Sequence, residues 1–347
     1  MVTSLGHDAA TSCAAIRAGL SRARAVPGCA VLDPDTQTME PAIGHEVWGL
    51  TRGMSAPARW ITLATRAFVD LCQRGIAAVV PRPEDWHRTA LLLVGPCLDD
   101  GRFLFFPECS QGHIDETLVQ PLRRRLAVPL EVDRCLSIFE GRTGAMRAVD
   151  AATRMLQDPA IDRVILLAFD SLLDAHSLAW LQDSERLKAA EVPSGLMPGE
   201  AAAALMLTRG GTGHRLVAAG LAQEAADPLS DGRQHGRALS QVLRAALSAG
   251  APGRRFKGDL FVDLNGEAWR AYEYGSALAQ VDGATLGDFN TMLPALSIGE
   301  VGAASSLCAA VLACAAFDRG YASDAMAIVL AAGEAGRVGS LVLMAEV

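Results

Sequence analysis

Two short segments in opposite halves of this chain are written to the same plan, and that plan restricts the fold more than any other feature. Gly141-Arg142-Thr143-Gly144-Ala145 and Gly299-Glu300-Val301-Gly302-Ala303 each open an alanine-rich stretch with helical spacing, and each stretch leads into an apolar run of strand length. A glycine-flanked turn, a helix and a buried strand, written twice, point to an α/β protein with two duplicated halves, residues 1–185 and 186–347.

The rest of the pattern agrees with alternating helices and strands. Apolar spacing and breakers predict helices over 8–20, 58–74, 116–126, 143–156, 237–248, 269–279 and 303–317. Strands are predicted over 89–94, 129–132, 164–169, 201–207, 215–221, 260–264, 325–330 and 340–344. Residues 21–57 and 185–199 have no period and read as irregular. The glycines of Gly210-Gly211-Thr212-Gly213 are expected to close a hairpin, because a strand follows them where a phosphate-binding loop would need a helix N-terminus.

Composition removes several function classes. With 31 Lys and Arg against 39 Asp and Glu the formal charge is -8, and no basic run alternates with aromatics, so nucleic acid is not expected as a partner. Residues 301–317 lack charge, but they are rich in Gly, Ala and Ser and are bounded by Glu300 and Asp318. They read as a buried helix rather than a membrane span. The start of the chain lacks the basic and then apolar pattern of a secretory leader, and the eight scattered cysteines contain no C-x-x-C pair; both features fit a cytoplasmic protein with reduced thiols. The seven histidines include no pair at metal-ligand spacing, so neither metal nor cofactor is expected.

Five landmarks, in chain order, carry a resemblance. They are Val2-Thr3-Ser4-Leu5-Gly6, the helix ending Ala14-Ala15-Ile16-Arg17-Ala18-Gly19, Asp170-Ser171-Leu172-Leu173, Gly195-Leu196-Met197-Pro198-Gly199-Glu200-Ala201-Ala202 and Ser297-Ile298-Gly299-Glu300. Together they resemble β-ketoacyl synthases of the thiolase superfamily. The resemblance implies the five-layer α-β-α-β-α thiolase fold and a homodimer. It also implies a strand ahead of Val2, so either the true start lies upstream of Met1 or the first sheet lacks a member.

The same resemblance implies a nucleophilic cysteine, two imidazoles and an aromatic gate, and here each position differs. Arg142, or Gly141 if the register slips by one, falls where the cysteine belongs; Asn265 and Glu300 fall on the two histidines; Ala332 and Glu334 fall on the gate phenylalanines. Arg142 and Glu300 hold corresponding places in the two segments described above. An arginine at a helix N-terminus opposes the helix dipole, so an Arg142–Glu300 ion pair is expected to fill the former catalytic centre.

Other residues near these positions bear weighing. Glu140, Glu267, Glu300 and Glu334 have the residue type for general acid/base work, although ion pairing and helix-end placement are the plainer explanation. Gly266, with Asn265, Glu267, Trp269 and Arg270, follows an apolar strand and reads either as a ligand-binding knot or as a structural turn. Cys135 is the nearest thiol in sequence and is expected to be structural.

The expectation is therefore a catalytically degenerate ketosynthase-like protein with a binding, adaptor or accessory role. The segments 264–267 and 298–304 also resemble thiolase-like proteins encoded beside type VI secretion effectors, which implies a secreted effector as partner; an acyl carrier protein is the partner implied by the family as a whole. The alternatives that remain open are an acyltransferase or condensing enzyme with a displaced nucleophile, a hydrolase using the carboxylates, and the silent subunit of a ketosynthase heterodimer.

Overall fold

The segment Ser305–Asp318 has no polar face, so its helix must be surrounded by protein. The computed structural model describes residues 1–74, 83–98, 101–103, 113–211, 213–225 and 235–346. In it this helix lies beside Gly144–Met155 in a central layer between two β-sheets.

In chain order the elements are α1 (Ala9–Arg17), β1 (Arg24–Asp33), β2 (Thr38–Gly44), α2 (Ala56–Arg74), β3 (Thr89–Val94), α3 (Gln120–Leu126), β4 (Cys135–Ile138), α4 (Gly144–Met155), β5 (Arg163–Ser171), α5 (Ala175–Asp183) and β6 (Glu200–Thr208). They continue as β7 (Arg215–Gln223), α6 (Arg237–Gly250), β8 (Asp259–Val262), α7 (Ala268–Ala279), β9 (Asn290–Met292), α8 (Ala295–Ile298), α9 (Ser305–Asp318), β10 (Met326–Ala332) and β11 (Arg337–Met344).

The first sheet has the order β4-β3-β5-β6 and the second β7-β11-β10-β8-β9. Read from β4 and from β9 the plan is the same: three parallel strands and then an antiparallel one. The place that β7 holds beside β11 is marked in the first sheet by a bridge between Val2 and Ala202. The sheets read as almost unbroken apolar runs because helices cover both faces of each.

The outer layers follow from amphipathic spacing. Trp60, Leu63, Ala64, Ala67 and Phe68 recur every third or fourth residue and bury one face of α2 against the first sheet. Leu239, Val242, Leu243, Ala246 and Leu247 do the same for α6 on the second sheet. Helix, sheet, helix pair, sheet and helix make the five layers expected.

Several sequence expectations need correction. Residues 21–57 contain the β1–β2 ribbon, a separate two-stranded antiparallel sheet, and not only irregular chain. β6 and β7 do not form a hairpin: β6 pairs with β5 and β7 with β11, so the glycine cluster carries the chain from one sheet to the other. The strand expected at 129–132 lies instead at Cys135–Ile138, and β6, beyond the boundary at 185, hydrogen-bonds in the first sheet. Helix α5, strand β9 and helix α8 had too short a period to be seen.

Cys13, Cys29, Cys72, Cys135, Cys308 and Cys314 carry free thiols, and Cys109 lies outside the described residues. No helix among the described residues is long and apolar enough to cross a membrane.

Candidate functional site

The site forms where α4 and α9 begin. Gly141 takes φ 62° and starts a 3₁₀ turn, Gly141–Thr143, that runs into α4; Gly302 takes φ 52° and starts the matching turn, Gly302–Ala304, into α9. The residues ahead of them, Glu140 and Val301, share the same backbone angles, -113°, 18° and -114°, 19°. Backbone geometry therefore pairs Gly141 with Gly302 and Arg142 with Ala303. The sequence pairing of Arg142 with Glu300 is corrected by three residues, because Gly299 ends α8 and the turn proper begins later.

The ion pair nonetheless forms, since Glu300 sits just before the second turn and the two turns touch. Arg142 Nε donates to Glu300 Oε1 at 3.2 Å, and Arg142 Nη2 lies 2.9 Å from Glu300 Oε2 and 3.0 Å from Glu334 Oε1. Its remaining nitrogen, Nη1, donates to the carbonyl of Ala332 at 3.2 Å. Burial works against the Arg142 charge, but Glu300, Glu334 and Glu267 outweigh it and hold the guanidinium protonated more firmly than usual.

Asn265 is saturated: Nδ2 donates to Glu267 Oε2 at 2.9 Å and Glu300 Oε2 at 2.8 Å, while Oδ1 accepts from the Glu267 amide. Arg186, which sequence reasoning missed, completes the cluster. Its Nε and Nη2 grip the two oxygens of Glu267 at 2.6 and 3.0 Å, and Nη2 also reaches Glu334 Oε1 at 2.9 Å. The signal available was charge balance, because three clustered carboxylates, two of them buried, need more than one cation. The residue itself lay in a stretch without any period.

Arg270, Glu140 and Gly266 play different parts from Arg142. Arg270 is fully buried against Asp263 and Glu273, 2.8 Å from the latter, and Asp263 in turn accepts from the Ala332 amide. It backs the cluster without entering it, and burial, helped by the charge of Arg142, lowers its pKa to about 10. Glu140 points to the surface and pairs with Arg147 at 3.3 Å. Gly266 takes φ 109°, and a side chain there would meet the Gly195 carbonyl, so its requirement is local.

The chemistry open to this arrangement is narrow. A general acid or base works best with a pKa near the operating pH. Burial alone would raise Glu334, yet Arg142 and Arg186 bring it down to about 2, and Glu267 is lowered beside Arg186 despite its own burial. These are fixed charges, not proton carriers.

Cys135, the nearest thiol in sequence, is not at the cluster; burial raises its pKa and its sulfur faces the Glu131 carbonyl. The thiol that does border the cluster is Cys97, whose sulfur accepts from Arg337 Nη2 at 3.4 Å. It lines a cavity of about 10 Å³ with Gly141, Arg142 and Glu334. A second cavity of about 20 Å³ touches Glu300 from the side of Phe261 and Ser306. Each has room for about one water and neither for an acyl chain. No group of three or more possible metal ligands occurs among the described residues.

No protein-family model and no curated sequence matches the chain. Solved structures do. A complex of the ketosynthase ApeO with its chain length factor ApeC from Xenorhabdus doucetiae superposes with TM-score 0.71 at 16% identity, covering 99% of this chain and 96% of that one. The ishigamide ketosynthase/chain length factor gives 0.69 at 19%, covering 99% and 97%. A ketosynthase from module 6 of the bacillaene synthase of Bacillus subtilis 168 gives 0.67 at 11%, covering 100% of this chain and 71% of that one. The chain thus has the thiolase-like fold of ketosynthases and chain length factors.

Proposed function

We propose that this chain is a non-condensing accessory subunit built on the ketosynthase fold, and that its work is to bind a protein partner. The observation that carries this is the Arg142 guanidinium at the entry to α4. By the resemblance it falls where a condensing enzyme would hold its nucleophile; a guanidinium cannot accept an acyl group, and Glu300, Glu334 and the Ala332 carbonyl take up its donors. The cavities beside it are water-sized.

A partner of the same fold is favoured, since two of the similar structures are described as ketosynthases with chain length factors. β4 supplies an edge for such pairing: among the described residues it ends its sheet, and Leu136 on it is exposed. A homodimer, or a pair with a cysteine-bearing ketosynthase, fits that edge. The same accessory role beside a type VI secretion effector is what the resemblance of segments 264–267 and 298–304 implies.

The test is incubation with acyl-carrier-protein thioesters followed by intact mass measurement. The expected result is an unchanged mass. A covalent acyl adduct, at Cys97 or at any other residue, overturns the reading.

A further inference from the structure

The exposed apolar side chains of this molecule are unevenly placed. Nine large hydrophobic residues are exposed among the described residues, and five of them, Leu32, Met39, Ile43, Trp48 and Met54, fall between residues 32 and 54. The β1–β2 ribbon explains three. Its inner face, with Val26, Cys29 and Ala42, packs on Leu172, Leu173 and Leu178. On its outer face Leu32 sits opposite Met39, Ala30 opposite Pro41 and Ala25 opposite Ile43, all of them exposed. A ribbon that is apolar on both sides has one side unused.

Beside it runs a groove of about 720 Å³ between the ribbon, α5 and the chain after β2, with Val26, Cys29, Met54, Leu173 and Leu178 in its walls and Arg52 at its rim. Arg52 is also in the lining of a shallower depression of about 540 Å³ that shares Val26–Cys29 and reaches Pro41. At the same rim Trp48, about half exposed, has two guanidinium groups over its ring, Arg24 at 4.5 Å and Arg52 at 4.4 Å from the ring centre. Glu46, 3.8 Å from Arg52, is the one carboxylate in ion-pair range of either arginine among the described residues.

We infer that this surface docks a segment of another protein in which aliphatic side chains alternate with carboxylates. Aliphatic groups fit the groove and the ribbon face, and tryptophan and arginine are among the residue types most enriched at the anchoring points of interfaces. The carboxylates follow from charge complementarity: Arg24 and Arg52 present positive charge on a chain of net -8. A second copy is disfavoured, because a twofold contact centred here would bring the arginine pair against itself. The inference rests on the accessory-subunit reading only in supposing a protein partner, and the acyl-adduct test can fail without touching it.

A phage-displayed library of random 12-residue peptides panned on the full chain tests it. Recovered peptides are expected to be enriched in Asp and Glu next to Leu and Ile, and to bind at least tenfold more weakly to Trp48→Ala and to the Arg24→Glu/Arg52→Glu double variant. Synthetic versions with Lys for Glu should prefer the double variant, which keeps the test valid if Trp48→Ala folds poorly. Failure to recover peptides, lack of acidic enrichment, or equal binding to all variants overturns the inference. So does a Trp48-dependent change in sedimentation of the chain alone, which would assign the surface to a second copy, or Trp48-dependent binding to phosphatidylglycerol vesicles.

Discussion

The turns that open α4 and α9 share a backbone and differ in electrostatics. In the second turn the free amides meet carboxylates: Gly302 N donates to Glu300 Oε1 at 2.7 Å and Ala303 N to Asp170 Oδ2 at 3.0 Å, the favoured arrangement at a helix N-terminus. The first turn carries Arg142, a cation where the helix dipole disfavours one. Glu300 reconciles them, because Oε1 caps the second turn while both of its oxygens hold Arg142. One carboxylate serves two helix starts, and the arginine is tolerated because that carboxylate was already needed.

The largest effect should come from splitting the pair. Arg142→Met leaves Glu300, Glu334 and Glu267 to share Arg186, and should cost about 3–5 kcal/mol in chemical denaturation, as should Glu300→Leu. The double variant should cost clearly less than the sum, with a coupling of about 1–3 kcal/mol. Strict additivity would mean that the two turns are independent.

A second effect separates the turns by pH. His45, at the end of β2, is buried against Gly299 on the approach to the second turn, and its Nδ1 has no hydrogen-bond partner among the described residues. Burial lowers its pKa from 6.5 to about 4. The unfolded chain therefore binds the extra proton first: stability from this group is complete above about pH 6.5, falls as the pH drops towards 4, and changes no further below that. The total is about 3 kcal/mol. His45→Gln should flatten the profile of urea midpoint against pH over that interval, and an unchanged slope would remove His45 as its cause.

Next in size is a contrast between glycines. Gly141→Ala meets a positive φ, but its new methyl would stand 3.4 Å from the Cys97 Cβ, ordinary contact, so about 1 kcal/mol is expected. Gly302→Ala would press on the Asp170 carboxylate that caps Ala303, adding the loss of a cap for about 2–3 kcal/mol in all. Equal melting shifts for the two variants would show that the second turn is not braced by Asp170.

The sequence carried most of the fold, because both turns lie in long segments of clear helical and strand period. It also brought Arg142, Asn265, Glu300 and Glu334 to one place through the resemblance. It missed Arg186, which has no periodic neighbours, and it misread the turn register by three residues because a glycine at 299 and one at 302 look alike in a string. Only φ, ψ values tell the end of α8 from the start of α9. The β1–β2 ribbon was invisible for another reason: a two-stranded sheet that is apolar on both sides lacks the inside-outside alternation from which a strand is recognised.

The smallest effect tests whether the first turn is closed to solvent at all. Glu140 directly precedes the first turn as Val301 precedes the second, yet its partner Arg147 is about half exposed and its contact with Arg337 is long, 3.9 Å. Water and salt should therefore weaken the Glu140–Arg147 pair, giving a double-mutant coupling of about 0.2–1 kcal/mol at 0.1 M salt that fades in 1 M salt. The Arg142–Glu300 coupling, formed between side chains only 3% and 2% exposed, should hold its value under the same change. If the Glu140 coupling proves larger and equally resistant to salt, the outer side of the first turn is as dry as its inner side. The difference between the two turns would then lie in the sign of their charges alone, and not in their access to water.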